Sequence, residues 1–142
     1  MSGCLHHVAL TISPGTEAGV RRFYGELLGL DEAEPDSVPA GSLWFDLADD
    51  VQLHLFVDSA AKAIDRSHVC LALSDLQLVL ARLAAGGHSV ERVDAVNGRE
   101  RVFVRDPSSN RLELTALLGS GLAAGVHDGG PRADVTRESG KR

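Results

Sequence analysis

The sequence predicts an α+β protein built from two tandem modules, because one order of elements occurs twice along the chain. In each half a run typical of a strand is followed by a helix and then by a β-hairpin. HVAL at 7–10 recurs as HVCL at 68–71, and QLHLF at 52–56 aligns with RLELT at 111–115, both at an offset of about 60 residues. These two matches, in the same order within matching elements, indicate an internal duplication.

The first module is predicted over residues 5–57. LHHVALTI at 5–12 has the composition of a strand, and the following Pro-Gly pair predicts a turn. A helix is expected over 16–28, capped by Thr16 or Glu17, and a loop over 31–41. SLWFDLA and VQLHLFV are then predicted to form a hairpin.

The second module is predicted over residues 66–117. SHVCLAL is typical of a strand, Asp75 is placed to cap a helix, and two glycines follow that helix. ERVFVRD and RLELTAL flank the turn-forming sequence PSSN and predict a second hairpin. The two modules would make one domain over 1–118, and the Gly-rich, charged residues 119–142 would form a flexible C-terminal tail.

The composition and net charge of the chain restrict the classes of molecule that it is expected to bind. A chain of 142 residues with 44% hydrophobic residues can bury one core. A net charge of −6 disfavours nucleic acid and acidic membrane surfaces, because no basic excess is present to neutralise phosphates. The N-terminus has no basic region followed by an apolar run, so a cytoplasmic protein with both cysteines reduced is expected.

The duplication selects four candidate metal ligands, since it aligns His7 with His68 and His54 with Glu113. His54 and Glu113 each lie between two leucines of a predicted strand, where a charged group is costly unless it is compensated. Alternation along a strand predicts that His6 and His7 point to opposite faces, and the repeat favours His7. The sequence therefore predicts a metal site made of three imidazoles and one carboxylate.

Four further residues are predicted to bind substrate beside these ligands. Trp44 and Phe103 occupy equivalent positions in the two hairpins, where stacking on a substrate and core packing are both open. Arg101 is expected on the cavity side, either holding a carboxylate or phosphonate or lying solvated at the rim. Gln52 shares a strand face with His54 and could hydrogen-bond to it.

In several of these stretches the sequence resembles that of the vicinal oxygen chelate superfamily. This superfamily includes glyoxalase I, extradiol dioxygenases and fosfomycin-resistance enzymes. The resemblance covers residues 5–117, and its most specific parts are FYGELLGL and DPSSNRLEL, the latter similar to the family pattern DP-x-G-N-x-x-E-L. Ser109 stands where Gly is usual. The resemblance implies paired βαβββ modules that form a curved mixed sheet around a metal-binding cavity, with His7, His54, His68 and Glu113 as ligands.

The implied chemistry uses one divalent ion per site, and these ligands suit Zn, Ni, Mn, Fe or Co. A glyoxalase-like lyase or isomerase is expected, with the metal as Lewis acid and Glu113 as general base. The alternatives are an Fe(II) extradiol-type dioxygenase, an epoxide-opening resistance enzyme, or a metal-free protein that sequesters a small drug or metabolite. Ligand-type residues at all four positions favour an enzyme acting on a small molecule over a sequestering protein. The resemblance implies a homodimer with two sites, although the two modules of one chain could also close a cavity alone.

Overall fold

The computed structural model describes residues 3–48, 50–62 and 65–117, so the predicted tail at 119–142 lies outside the described residues. The first module contains β1 (His7–Ile12), α1 (Glu17–Arg21) continued by a π-helical segment (Arg22–Leu27), β2 (Asp31–Glu32), a 3-10 turn (Pro35–Ser37), β3 (Ser42–Ala48) and β4 (Val51–Val57). The second contains β5 (Val69–Leu73), α2 (Leu76–Ala85), β6 (Val90–Val96), β7 (Arg99–Arg105) and β8 (Arg111–Ala116).

Each module forms its own four-stranded mixed sheet, with strand orders β1-β4-β3-β2 and β5-β8-β7-β6. In each module, the strand that comes first along the chain pairs in parallel with the strand that comes last. The other neighbouring strands pair antiparallel. Trp44 lies directly opposite His54, and Phe103 lies directly opposite Glu113. The predicted fold class is confirmed, and the matching registers agree with the duplication inferred from the sequence.

The two helices differ in how closely they follow the prediction. The side chain of Asp75 accepts a hydrogen bond from Leu78 N, as expected of an N-cap. Thr16 occupies the N-cap position of α1, but its hydroxyl donates to Ser13 O instead of capping the helix. The predicted helix over 16–28 is present, although its second half is π-helical.

Two strands have no counterpart in the sequence-based elements. β2 lies within the predicted loop 31–41, and its two exposed residues pair with β3. β6 pairs with β7, but most of its residues are exposed, so it lacks the apolar alternation that identifies a half-buried strand. Both lie at the edge of a sheet, where a strand has only one neighbouring strand. The hydrophobic pattern in their sequences is therefore weak.

A single hydrophobic cluster includes residues of both modules, and a polar network links them beside it. Tyr24, in the π-helical segment, is fully buried, and its hydroxyl donates to Asp106 Oδ2 at 3.0 Å. Asp106 also accepts from the backbone N–H groups of Ser108 and Asn110. The Asn110 amide in turn donates to Thr11 O in β1. The turn between β7 and β8 therefore fixes the first module against the second.

Ser109 in this turn has φ +70°, in the left-handed region that favours glycine. This conformation explains why Gly is usual at that position of the DP-x-G-N pattern. We expect Ser109→Gly to raise the free energy of unfolding by about 1 kcal/mol, because it removes this backbone strain. Urea unfolding would measure the change, with Ser89→Gly as a control that should not stabilise. An unchanged or lower value for Ser109→Gly would contradict the assignment of strain.

Among the described residues, no helix has the length and apolar character needed to span a membrane.

Candidate functional site

The first half-site, His7 and His54, belongs to a stack of three aromatic rings on the sheet face opposite the core. The His54 ring lies 3.8 Å from the Trp44 ring system and 4.4 Å from the His7 ring, with interplanar angles of 4° and 11°. Pairing of β3 with β4 places Trp44 over one face of the imidazole, and β1 supplies His7 on the other. This stacking leaves His54 only 5% exposed on an otherwise open sheet face.

A hydrogen-bonded chain fixes the His54 tautomer. Gln52 Nε2 donates to Asp46 Oδ1 at 2.9 Å, and a carboxylate can only accept, so the amide oxygen must face the other way. That oxygen, Oε1, lies 3.0 Å from His54 Nε2, which therefore donates and leaves the lone pair on Nδ1. Burial lowers the pKa of His54, and the neighbouring His7 and His6 lower it further. The neutral imidazole, which is the form that binds metals, is favoured.

The prediction that the side chains of His6 and His7 point to opposite faces of the strand is wrong. His6 Nδ1 lies 2.9 Å from His7 Nδ1, so one ring donates a hydrogen bond to the other. Because β1 begins at His7, the alternation of strand side chains does not extend back to His6. His6 is thus a direct neighbour of the first half-site.

The second half-site, His68 and Glu113, lies on the other sheet. His68 Nδ1 lies 3.0 Å from Arg66 O and must donate, because a carbonyl only accepts. His68 Nε2 lies 3.0 Å from Glu113 Oε2. Two ligand atoms bound at right angles to one divalent ion at about 2.1 Å are also about 3 Å apart, so this spacing fits a shared metal. A backbone carbonyl on the second ring nitrogen is the usual support for a metal-binding histidine.

Phe103 and two arginines surround this second half-site. The Phe103 ring meets His68 edge-on at 5.0 Å, and the Arg111 guanidinium lies 3.7 Å above the Phe103 ring. Arg101 Nε donates to Asp94 O, and its Nη1 is 3.6 Å from Glu113 Oε1. The structure thus places the predicted Arg101 beside Glu113.

Cys70 lies opposite Glu113 on the neighbouring strand and is exposed. Partial burial and the Glu113 charge raise the pKa of its thiol, and Arg99 and Arg101 oppose this shift. Sequence reasoning passed over Arg99 and also Asp46, which orients Gln52. Both could have been found by strand alternation, since each lies two residues from a residue already selected on its strand.

The four predicted ligands are brought together in pairs, not as one cluster. Within residues 3–48, 50–62 and 65–117, no group of three or more His, Cys, Asp or Glu side chains lies close enough together to hold a metal ion. The donor atoms of both half-sites suit a divalent metal in their chemistry. The four predicted ligands therefore lie as two separate pairs on two separate sheets.

Comparisons with known proteins agree with this architecture. Residues 10–115 match the family model described as a glyoxalase-like domain. A glyoxalase family protein from Bacillus anthracis is 25% identical, with a TM-score of 0.71 over 82% of this chain and 96% of that one. A lactoylglutathione lyase from Agrobacterium tumefaciens is 21% identical, with a TM-score of 0.61 over 81% of this chain and 94% of that one. TnmS3, an antibiotic binding protein from Streptomyces sp. CB03234, is 18% identical, with a TM-score of 0.62 over 81% of this chain and 96% of that one. No curated protein matches the sequence.

Proposed function

Because the chain belongs to the glyoxalase-like domain family, we propose that it is a divalent-metal-dependent lyase or isomerase that acts on a small substrate with two adjacent oxygens. The observation that supports this most is the pair His68 and Glu113, whose facing atoms are 3.0 Å apart while the second ring nitrogen is held by Arg66 O. This arrangement prepares one nitrogen and one oxygen to share a metal ion.

The complete site needs both half-sites, and we propose that a second copy of the chain supplies the missing one. His7 and His54 of one copy would then face His68 and Glu113 of the other, in a homodimer with two equivalent sites. A divalent ion bound there would polarise both substrate oxygens as a Lewis acid. A cytoplasmic location remains a prediction.

The side chains near Glu113 support its proposed role as the general base. Its Oε2 faces His68, so Oε1 is the atom that would accept a proton from the carbon next to a substrate carbonyl. Arg101 Nη1 lies 3.6 Å from Oε1 and would help to orient the carboxylate. On the opposite half-site, Gln52 fixes the His54 ring, and Trp44 and Phe103 are proposed to border the substrate.

The test is the metal content of the purified protein after supply of Mn²⁺, Fe²⁺, Zn²⁺ and Ni²⁺ in turn. We expect close to one ion per proposed site, and His68→Ala or Glu113→Ala should abolish binding. Gln52→Ala should weaken metal affinity by about 10- to 100-fold, because it removes the partner of a ligand without removing the ligand. His88→Ala is the matched control and should retain the metal, since the His88 ring packs against Phe23 and contacts none of the four predicted ligands.

A second candidate is a metal-free protein that binds a small drug or metabolite. The separation of the two half-sites within one chain and the flat ring stack over His54 favour it. Elemental analysis that finds no metal under any of the four supplies would support this candidate and contradict the enzyme. Iron with oxygen uptake would indicate the dioxygenase alternative instead.

A further inference from the structure

A cavity of about 440 Å³ opens on the second sheet beside Glu113. Its wall is formed by β5, β7, β8 and the turn before β7, and the side chains that matter here are Cys70, Asn97, Arg99, Arg101 and Glu113. His68 does not line this cavity, so it is a space on the Glu113 side of the second half-site.

The charges around this cavity favour an anion. Arg99 and Arg101 are two residues apart on β7 and project from the same face of the strand. Arg101 has one carboxylate neighbour, Glu113, at 3.6 Å. Arg99 is exposed and forms no ion pair with any residue in the described part of the chain. Two guanidinium groups therefore face one carboxylate here, although the whole chain has a net charge of −6.

We propose that this cavity binds the carboxylate, phosphate or phosphonate group of a small molecule, with Arg99 as the principal contact and Arg101 as the second. A guanidinium offers two parallel N–H donors to such a group, and Arg99 has them free for it. This proposal rests on the proposed function, because an anionic group bound here would place the rest of a substrate next to Glu113. It assigns the substrate to the class of small organic anions.

Cys70, exposed at the cavity wall, provides a reporter that needs neither metal nor turnover. In a Cys4→Ser background stripped of metal with EDTA, alkylation of Cys70 by anionic iodoacetate is compared with alkylation by neutral iodoacetamide. Both reagents react with the thiolate, so the ratio of their rates cancels the thiolate fraction. We expect Arg99→Gln to lower this ratio about 3- to 10-fold at low ionic strength, because one attracting charge is lost.

Arg92→Gln is the matched control, since the Arg92 guanidinium is already paired with Glu100 at 2.8 Å and does not line the cavity. Its alkylation ratio should equal that of the parent. Equal ratios in the parent and in Arg99→Gln would overturn the proposal.

Competition identifies the ligand group. Inorganic phosphate, methylphosphonate or acetate should slow the reaction of Cys70 with iodoacetamide in a saturable manner, and the anion that protects at the lowest concentration indicates the group preferred. Arg99→Gln should lose this protection, and protection that persists in this variant would overturn the proposal. All measurements use metal-free protein, so a failure to find metal in the parent does not affect them, and a failure here leaves the metal test intact.

Discussion

An equimolar mixture of two metal-depleted variants should regain metal when their subunits exchange. One variant carries His7→Ala with His54→Ala, and the other carries His68→Ala with Glu113→Ala. If each site combines the first half-site of one copy with the second half-site of its partner, a mixed dimer has one intact site and one that lacks all four ligands. Random mixing makes half of the dimers mixed, so the metal content should recover to about a quarter of the parent value.

This expectation follows from the separation of the two half-sites within the described chain. Each variant alone should contain no metal, and two different affinity tags would show that mixed dimers have formed. Mixed dimers without metal would place the complete site within one chain and contradict the shared arrangement. A sedimentation mass of one chain at micromolar concentration would contradict the homodimer itself.

The sequence was sufficient to predict the repeat and the face on which each selected side chain lies. Strand alternation depends only on local geometry, so the residues flanking His54 and Glu113 showed which way both side chains point. The equivalence of Trp44 and Phe103 likewise appears in the structure as two identical cross-strand pairings. These features are fixed by neighbours along the chain or across one hairpin.

What could not be predicted depends on contacts between distant segments. Periodicity assigns a side chain to a sheet face, but it does not specify how far one sheet lies from the other. The sequence therefore left open whether the four ligands meet within one chain or across a dimer. The burial of Tyr24 could not be predicted from its own helix, because the partner of its hydroxyl is Asp106, which is 82 residues away along the chain. The cavity beside Cys70 likewise could not be predicted, because it involves Val96 at the end of β6 and Asn97 in the turn after it, 26 and 27 residues further along the chain.

The largest expected loss of stability is at Asp106, which is 4% exposed and accepts hydrogen bonds from Tyr24, Ser108 and Asn110. Asp106→Ala would leave the buried Tyr24 hydroxyl and the turn donors of Ser108 and Asn110 without their acceptor, and it would separate the turn from the π-helical segment. We expect the free energy of unfolding to fall by about 3–5 kcal/mol in urea titrations at neutral pH. Asp75→Ala, which removes an exposed N-cap, is the control and should cost about 1 kcal/mol. Equal losses in the two variants would show that the Asp106 network does not stabilise the contact between modules.

The same network predicts how stability changes at alkaline pH. Burial raises the pKa of Tyr24 well above its ordinary value of 10.0, and the charge and hydrogen bond of Asp106 raise it further. Above pH 10 the tyrosine therefore loses its proton in the unfolded chain but keeps it in the folded one. Since the folded state then binds more protons, the contribution of this residue to stability falls by up to about 1.4 kcal/mol for each further pH unit.

Comparison with Tyr24→Phe isolates this effect, because the other titrating groups are common to both proteins. The variant should be less stable than the parent at pH 8, and the difference should shrink as the pH rises above 10. Tyr24 is the only tyrosine in the sequence, so absorbance of tyrosinate near 295 nm reports its ionisation directly. A stability difference that stays constant from pH 8 to pH 11, or tyrosinate absorbance in the folded protein at pH 10, would show that the hydroxyl is not held in the buried pair.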